Sequence, residues 1–150
     1  MTLLVPFDGS PLAGAALERA GEFGDVLDQE VVVLAAVPDD EMYARERGWI
    51  GEHEPFEPKL FALELRDQAA SIAPNATFRS EQPTDPTDES FSSATMNIVR
   101  TIRTVAAELE ADIVFIGSEN AGRVARPLTS VGAPVSNDPR YDVHIVRHTE

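Results

Sequence analysis

Asp8, Gly9 and Ser10 form a small polar cluster at the end of an apolar run, Leu3-Leu4-Val5-Pro6-Phe7, and Gly117-Ser118 repeat that pattern after Ile113-Val114-Phe115-Ile116. The chemistry such residues offer is binding. A turn rich in Gly and Ser leaves backbone N–H groups free to face a ligand, while short unbroken apolar runs read as strands buried on both faces of a parallel sheet. Two such turns line the ligand crevice of an open α/β sheet when their strands adjoin the point where the winding reverses. The expected site is therefore Asp8 to Ser10 facing Gly117 and Ser118. A plain strand-to-helix turn with Ser10 as helix cap selects the same residue types, so both readings stand at this point.

Other chemistries find little material. His53, His144 and His148 show no helical i, i+4 pair, since the stretch joining His144 to His148 reads as a strand, and the chain has no cysteine, so neither a metal site nor a disulfide framework is supported. His144, between Val143 and Ile145, reads as a residue on a strand face. No Gly-x-Ser-x-Gly elbow and no Gly-x-x-x-x-Gly-Lys phosphate loop occurs. With no catalytic constellation in view, the chain is expected not to be an enzyme.

The elements that must position the turns alternate between apolar runs and helical patterns. The 150 residues fit one domain, spanning 1–150. After the first strand, Ser10 can cap a helix with Pro11 in its first turn, and Leu12, Ala16, Ala20, Phe23 and Leu27 fall on one stripe. Val31 to Val37 form a second strand closed by Pro38. Residues 39–54 are acidic and irregular, carry Tyr43, Trp49 and His53, and are long enough to act as a flap. A helix follows in which Leu60, Leu63 or Glu64, and Asp67 to Ile72 share a face, ending before Pro74. Ala76 to Glu81 read as a third strand. A polar loop, Gln82 to Ser93, leads to a helix from Ala94 to Glu110 with Ile98, Ile102, Val105 and Leu109 buried. Asp112 to Gly117 and Tyr141 to Arg147 supply the last two strands. Right-handed crossovers arrange this as an α/β, doubly wound, five-stranded parallel sheet of order 3-2-1-4-5 with helices on both faces.

The balance of 12 basic against 26 acidic residues gives a net charge of −14, and Lys59 is the sole lysine. Dense carboxylates keep a protein soluble but repel one another in the compact state unless counter-ions screen them, as happens within about 3 Å at 1 M salt. A halophilic protein is expected. Nucleic acid is an unsuitable partner because there is no basic patch. The N-terminus lacks a basic region ahead of its apolar strand and no run reaches the length of a membrane span, which sets a cytoplasmic location as the expectation.

Leu4-Val5-Pro6-Phe7-Asp8-Gly9-Ser10, then Ala111-Asp112-Ile113-Val114-Phe115-Ile116-Gly117-Ser118, then Thr129-Ser130-Val131, and finally Val143-His144-Ile145-Val146 together resemble the universal stress protein domain, in order and over the whole chain. The resemblance implies an adenine nucleotide alpha hydrolase-like fold. It also places Asp8 near an adenosine or its ribose, and Ala36 or Val37 near the adenine. Gly9 and Ser10, with Gly117, Ser118, Asn120, Thr129 and Ser130, would approach the phosphates. Arg123 and Arg126 could add positive charge to a triphosphate, or lie solvated on the surface. ATP with magnesium is the candidate cofactor.

The resemblance is incomplete where phosphates would bind. Nucleotide-binding members carry a glycine, two residues, a second glycine, nine residues, then Gly-Ser or Gly-Thr. Here Gly117 keeps the first glycine, Asn120 stands at the second, and Thr129-Ser130 occupies the last position after a one-residue contraction. Glycine permits positive φ and close approach of backbone to phosphate, so its loss weakens the cradle. Gly132, Pro134, Asn137 and Pro139 crowd the helix that should follow. The expected function is thus a non-enzymatic stress-response or regulatory module with nucleotide binding weakened or lost, with an ATP-binding switch as the alternative. By resemblance the last strand pairs with its copy in a homodimer through Val143, Ile145 and Val146, and an exposed edge suits such pairing. Any further protein partner is unknown.

Overall fold

The protein was analysed as a computed structural model, which describes residues 2–83, 94–118 and 141–149. In chain order the elements are β1 (Thr2–Pro6), α1 (Pro11–Leu27), β2 (Glu30–Ala36), α2 (Glu41–Glu46), α3 (Pro58–Ile72), β3 (Thr77–Glu81), α4 (Ala94–Glu108), β4 (Ala111–Gly117) and β5 (Asp142–Val146). The strands form one parallel sheet of order β3-β2-β1-β4-β5. Leu4 pairs with Val32 on one side and with Val114 on the other. The winding reverses between β1 and β4, so a crevice opens at their C-terminal ends.

Both sheet faces are covered, which is why the central strands read as unbroken apolar runs. Leu3, Val5, Phe7, Val33, Ala35 and Phe115 pack against α1 and α3. Leu4, Val32, Leu34, Val114 and Ile116 point the other way and meet Val99, Ile102, Val105 and Ala106 of α4. Successive side chains of one strand thus serve two cores.

The helical stripes differ from the sequence expectation in α1 and α3. In α1 the buried face is Ala13, Ala16, Leu17, Ala20 and Gly24, whereas Leu27 is exposed. A Cβ on Gly24 would lie 2.8 Å from Val31 Cγ2 and 3.0 Å from the Gln29 carbonyl oxygen, so the close approach of helix to sheet selects small residues over large ones. In α3 the buried residues are Ala62, Leu65 and Ala69, while Leu60 and Leu63 face outward. The α4 expectation agrees better: Ile102 and Val105 are buried, and Ile98 and Leu109 pack at the margin of the same core.

Segment 39–54 is more ordered than its composition suggests. Asp40 accepts a hydrogen bond from the Tyr43 backbone N–H at 3.0 Å and caps the six-residue helix α2. Ala44 is fully buried, and Trp49 packs on Phe61 with ring centroids 4.5 Å apart, beside Tyr43 and Phe56. An aromatic cluster therefore fastens the segment to α3 despite its acidic surface.

Candidate functional site

Asp8 sits where β1 gives way to α1. Its Oδ1 accepts from the Ser10 backbone N–H at 2.9 Å, and the Ser10 hydroxyl accepts from the Ala13 N–H at 3.2 Å. Gly9 between them has φ of +82°, in the left-handed region that glycine tolerates. The turn is therefore preorganised, and Ser10 is the N-cap of α1, as a strand-to-helix turn requires.

Gly117, at the end of β4, faces this turn. A Cβ there would stand 2.7 Å from Leu12 Cβ. Its lack of a side chain is needed for the first turn of α1 to lie against β4, whatever else binds nearby. Ser118 follows it and is exposed.

Between these turns lies a small cavity of about 60 Å³, walled by Leu34, Ala36, Ile98, Val99, Ile102 and Ile116, with Asp8 and Gly117 at the strand ends. Pro6, Phe7 and Ala13 complete the strand and helix side, and Tyr43, Arg47 and Trp49 of segment 39–54 line the other. Arg47 donates from Nη2 to Asp8 Oδ2 at 2.8 Å. Its guanidinium carbon lies 6.0 Å from the Tyr43 ring centroid, within cation–π range. Each oxygen of Asp8 thus already accepts one hydrogen bond from the chain itself. Ligand pockets commonly enclose about 300–1,000 Å³, so the cavity in this conformation is small for a nucleoside.

The expected site residues separate accordingly. Asp8, Ala36 and Gly117 line the cavity, whereas Gly9 and Ser10 shape the turn beside it. Val37 turns to the opposite face, buried in the core beneath α1 and α3, so Ala36 alone of the pair faces the crevice. Asn120, Arg123, Arg126, Thr129 and Ser130, and the helix expected after them, lie outside the described residues. Arg47 had no place in the sequence reading. A signal existed: it stands four residues after Tyr43, on the same helical face, and is one of only two arginines, with Arg45, in an acidic stretch.

At the sheet edge, Val146 is buried and Val143 packs against the α4 core, leaving Ile145 as the exposed apolar residue of β5. His144 lies between Phe115, stacked at 4.9 Å, and Phe23, edge-on at 5.3 Å. Burial, with a smaller contribution from the Arg19 charge, holds its pKa below the ordinary histidine value. It is a packed residue on a strand face, well suited to the neutral form. Among the described residues no helix is long and apolar enough to cross a membrane.

Solved structures share this architecture. A universal stress protein in complex with cAMP is 22% identical, with a TM-score of 0.56, and the match covers 100% of this chain and 98% of that one. The universal stress protein from Archaeoglobus fulgidus in complex with dAMP is 19% identical, with a TM-score of 0.61 and 98% of each chain covered. A member from Burkholderia pseudomallei is 18% identical, with a TM-score of 0.56, covering 98% of this chain and 96% of that one. These likenesses establish the fold, adenine nucleotide alpha hydrolase-like, with the sheet order described above. No curated protein sequence matches. The sequence itself matches the model of the universal stress protein family over residues 1–147, and the chain belongs to that family.

Proposed function

We propose that this chain is a non-enzymatic stress-response module whose adenine-nucleotide binding is weakened or lost, and which acts through its own dimer and through contacts with a protein partner in the cytoplasm. One observation carries the reading: Arg47 holds the Asp8 carboxylate while Tyr43 and Trp49 reduce the crevice to about 60 Å³. The sequence supports it independently, because Asn120 and Thr129 replace glycines in the phosphate motif. The excess of carboxylates supports a salt-adapted member, and the exposed Ile145 supports dimer pairing through β5.

An ATP-binding switch, with magnesium on the phosphates, is the second reading. In its favour, Asp8, Ala36 and Gly117 converge on one crevice, and relatives of the same fold have been solved with cAMP and dAMP. Titration calorimetry in molar KCl separates the two, with Mg-ATP in one arm and AMP in the other. The first reading expects no saturable heat at micromolar concentrations of either ligand; micromolar binding of ATP makes the switch the function.

A further inference from the structure

The residue that closes the crevice does so through one side chain on a segment otherwise anchored elsewhere. Trp49 packs on Phe61 of α3, and its backbone N–H donates to the Ala44 carbonyl at 2.9 Å. Arg47, two positions earlier, reaches the opposite way, across the crevice mouth to Asp8. Gly48 stands between them with φ of +76° and open space around the position a Cβ would occupy. Anchor and tie are thus separated by the one residue type that absorbs a backbone rotation without steric cost.

The tie is also of moderate strength. The two side chains are 26% and 21% exposed, so the pair is neither a solvated surface contact nor a deeply buried ion pair. A charge-assisted hydrogen bond of this kind holds a segment shut yet breaks on thermal timescales. Behind it the walls are apolar: Leu34, Ile98, Ile102 and Ile116 present a surface fit for a flat ring rather than for water.

We infer that residues 41–47 form a self-inhibitory lid hinged at Gly48 and that Arg47 is its latch, an internal cation competing with ligands for the Asp8 carboxylate. This rests on the reading of the crevice as a weakened nucleotide site and adds the cause: the crevice is obstructed by its own chain, and not only impaired in its phosphate loop. A ligand with a hydroxyl or amine donor competes with Arg47 for Asp8, and the Arg47 side chain stands in the path of its ring. Its apparent dissociation constant is the intrinsic one divided by the fraction of molecules with the latch open. If the lid is open in about one molecule in ten, releasing it tightens binding about tenfold, equivalent to about 1.4 kcal/mol.

The test is AMP titration by calorimetry of the full chain as wild type, Arg47→Met and Arg47→Lys, with acrylamide quenching of Trp49, the sole tryptophan, read in parallel. Met keeps the aliphatic stem over Tyr43 and removes the charge, while Lys keeps a cation able to reach Asp8. Thermal melts confirm that each variant is folded. Latching expects Arg47→Met to bind AMP about tenfold tighter than wild type while Trp49, the anchor, keeps its accessibility, and Arg47→Lys to stay near wild type. Equal or weaker binding by Arg47→Met overturns the inference, as does absence of binding in all three at millimolar AMP. The last outcome leaves the weakened-site reading standing; micromolar affinity in the wild type removes that reading, and the Met-to-wild-type ratio still decides the latch.

Discussion

The Arg47 guanidinium and the Asp8 carboxylate meet at 2.8 Å although 39 positions separate them in the chain. The contact joins the end of the first strand to a short helix that the composition gave little reason to expect. It sets a side chain of the chain itself across the crevice at the reversal point of the sheet. A family whose solved members include nucleotide complexes can thus contain a chain in which the same geometry serves the chain's own side chain.

Gly117 is required for packing as well as for any ligand. Gly117→Ala places a Cβ 2.7 Å from Leu12 Cβ and 3.3 Å from the Leu12 carbonyl carbon, so α1 must shift. The expected loss is about 1–3 kcal/mol of stability in urea unfolding. Gly21→Ala, in the same helix with nothing within 4 Å of the new atom, is expected to be neutral or to stabilise by up to about 1 kcal/mol. Equal unfolding midpoints for the two variants would contradict this packing.

The buried position of His144 has a pH consequence. Its folded pKa is below the unfolded value, so the unfolded chain binds more protons between the two, and stability rises with pH there. The contribution is intact above about pH 6.5 and is lost as pH falls through that value toward the lower folded pKa. His144→Phe keeps a ring between Phe23 and Phe115 but removes the titration. Wild type should lose more stability than the variant in urea melts between about pH 7.5 and about pH 5.5. Identical losses would show that His144 is not shielded.

Of the three residues expected at a dimer edge, Val143, Ile145 and Val146, the most exposed is Ile145. Ile145 is 37% exposed on β5, whereas Val146 at 3% belongs to the core. Ile145→Lys is expected to yield monomers by light scattering with the melt little changed, since surface substitutions cost about 0.5 kcal/mol or less. A dimer that persists would move the contact to another surface.

The charge of −14 sets a salt dependence. The melting temperature is expected to climb steeply between low salt and molar KCl, because screening over about 3 Å relieves carboxylate repulsion. A flat profile would identify an ordinary acidic domain.

The sheet was legible because its central strands are buried on both faces, and a run such as Val31 to Val37 has few other readings. The turns at Asp8 and Gly117 were legible for the same reason: each ends such a run. Helix faces were harder. In α1 the expected Ala16 and Ala20 are buried, but Ala13, Leu17 and Gly24 join them outside the expected stripe, while conspicuous Leu27 is at the surface. The lid was least legible. Its single fully buried residue is Ala44, its cap is one of many aspartates, and the partner of Arg47 lies on another element that only the folded chain brings near.

Acrylamide quenching of Trp49 in the wild-type protein, without ligand, tests the closed crevice most directly. Trp49 is half-buried against Phe61 and walls the cavity, so its emission should be blue-shifted and far less quenched than in the same chain unfolded in denaturant. Emission and quenching equal to those of the unfolded chain would mean that Trp49 is not packed on α3 and that the segment does not wall the crevice in solution.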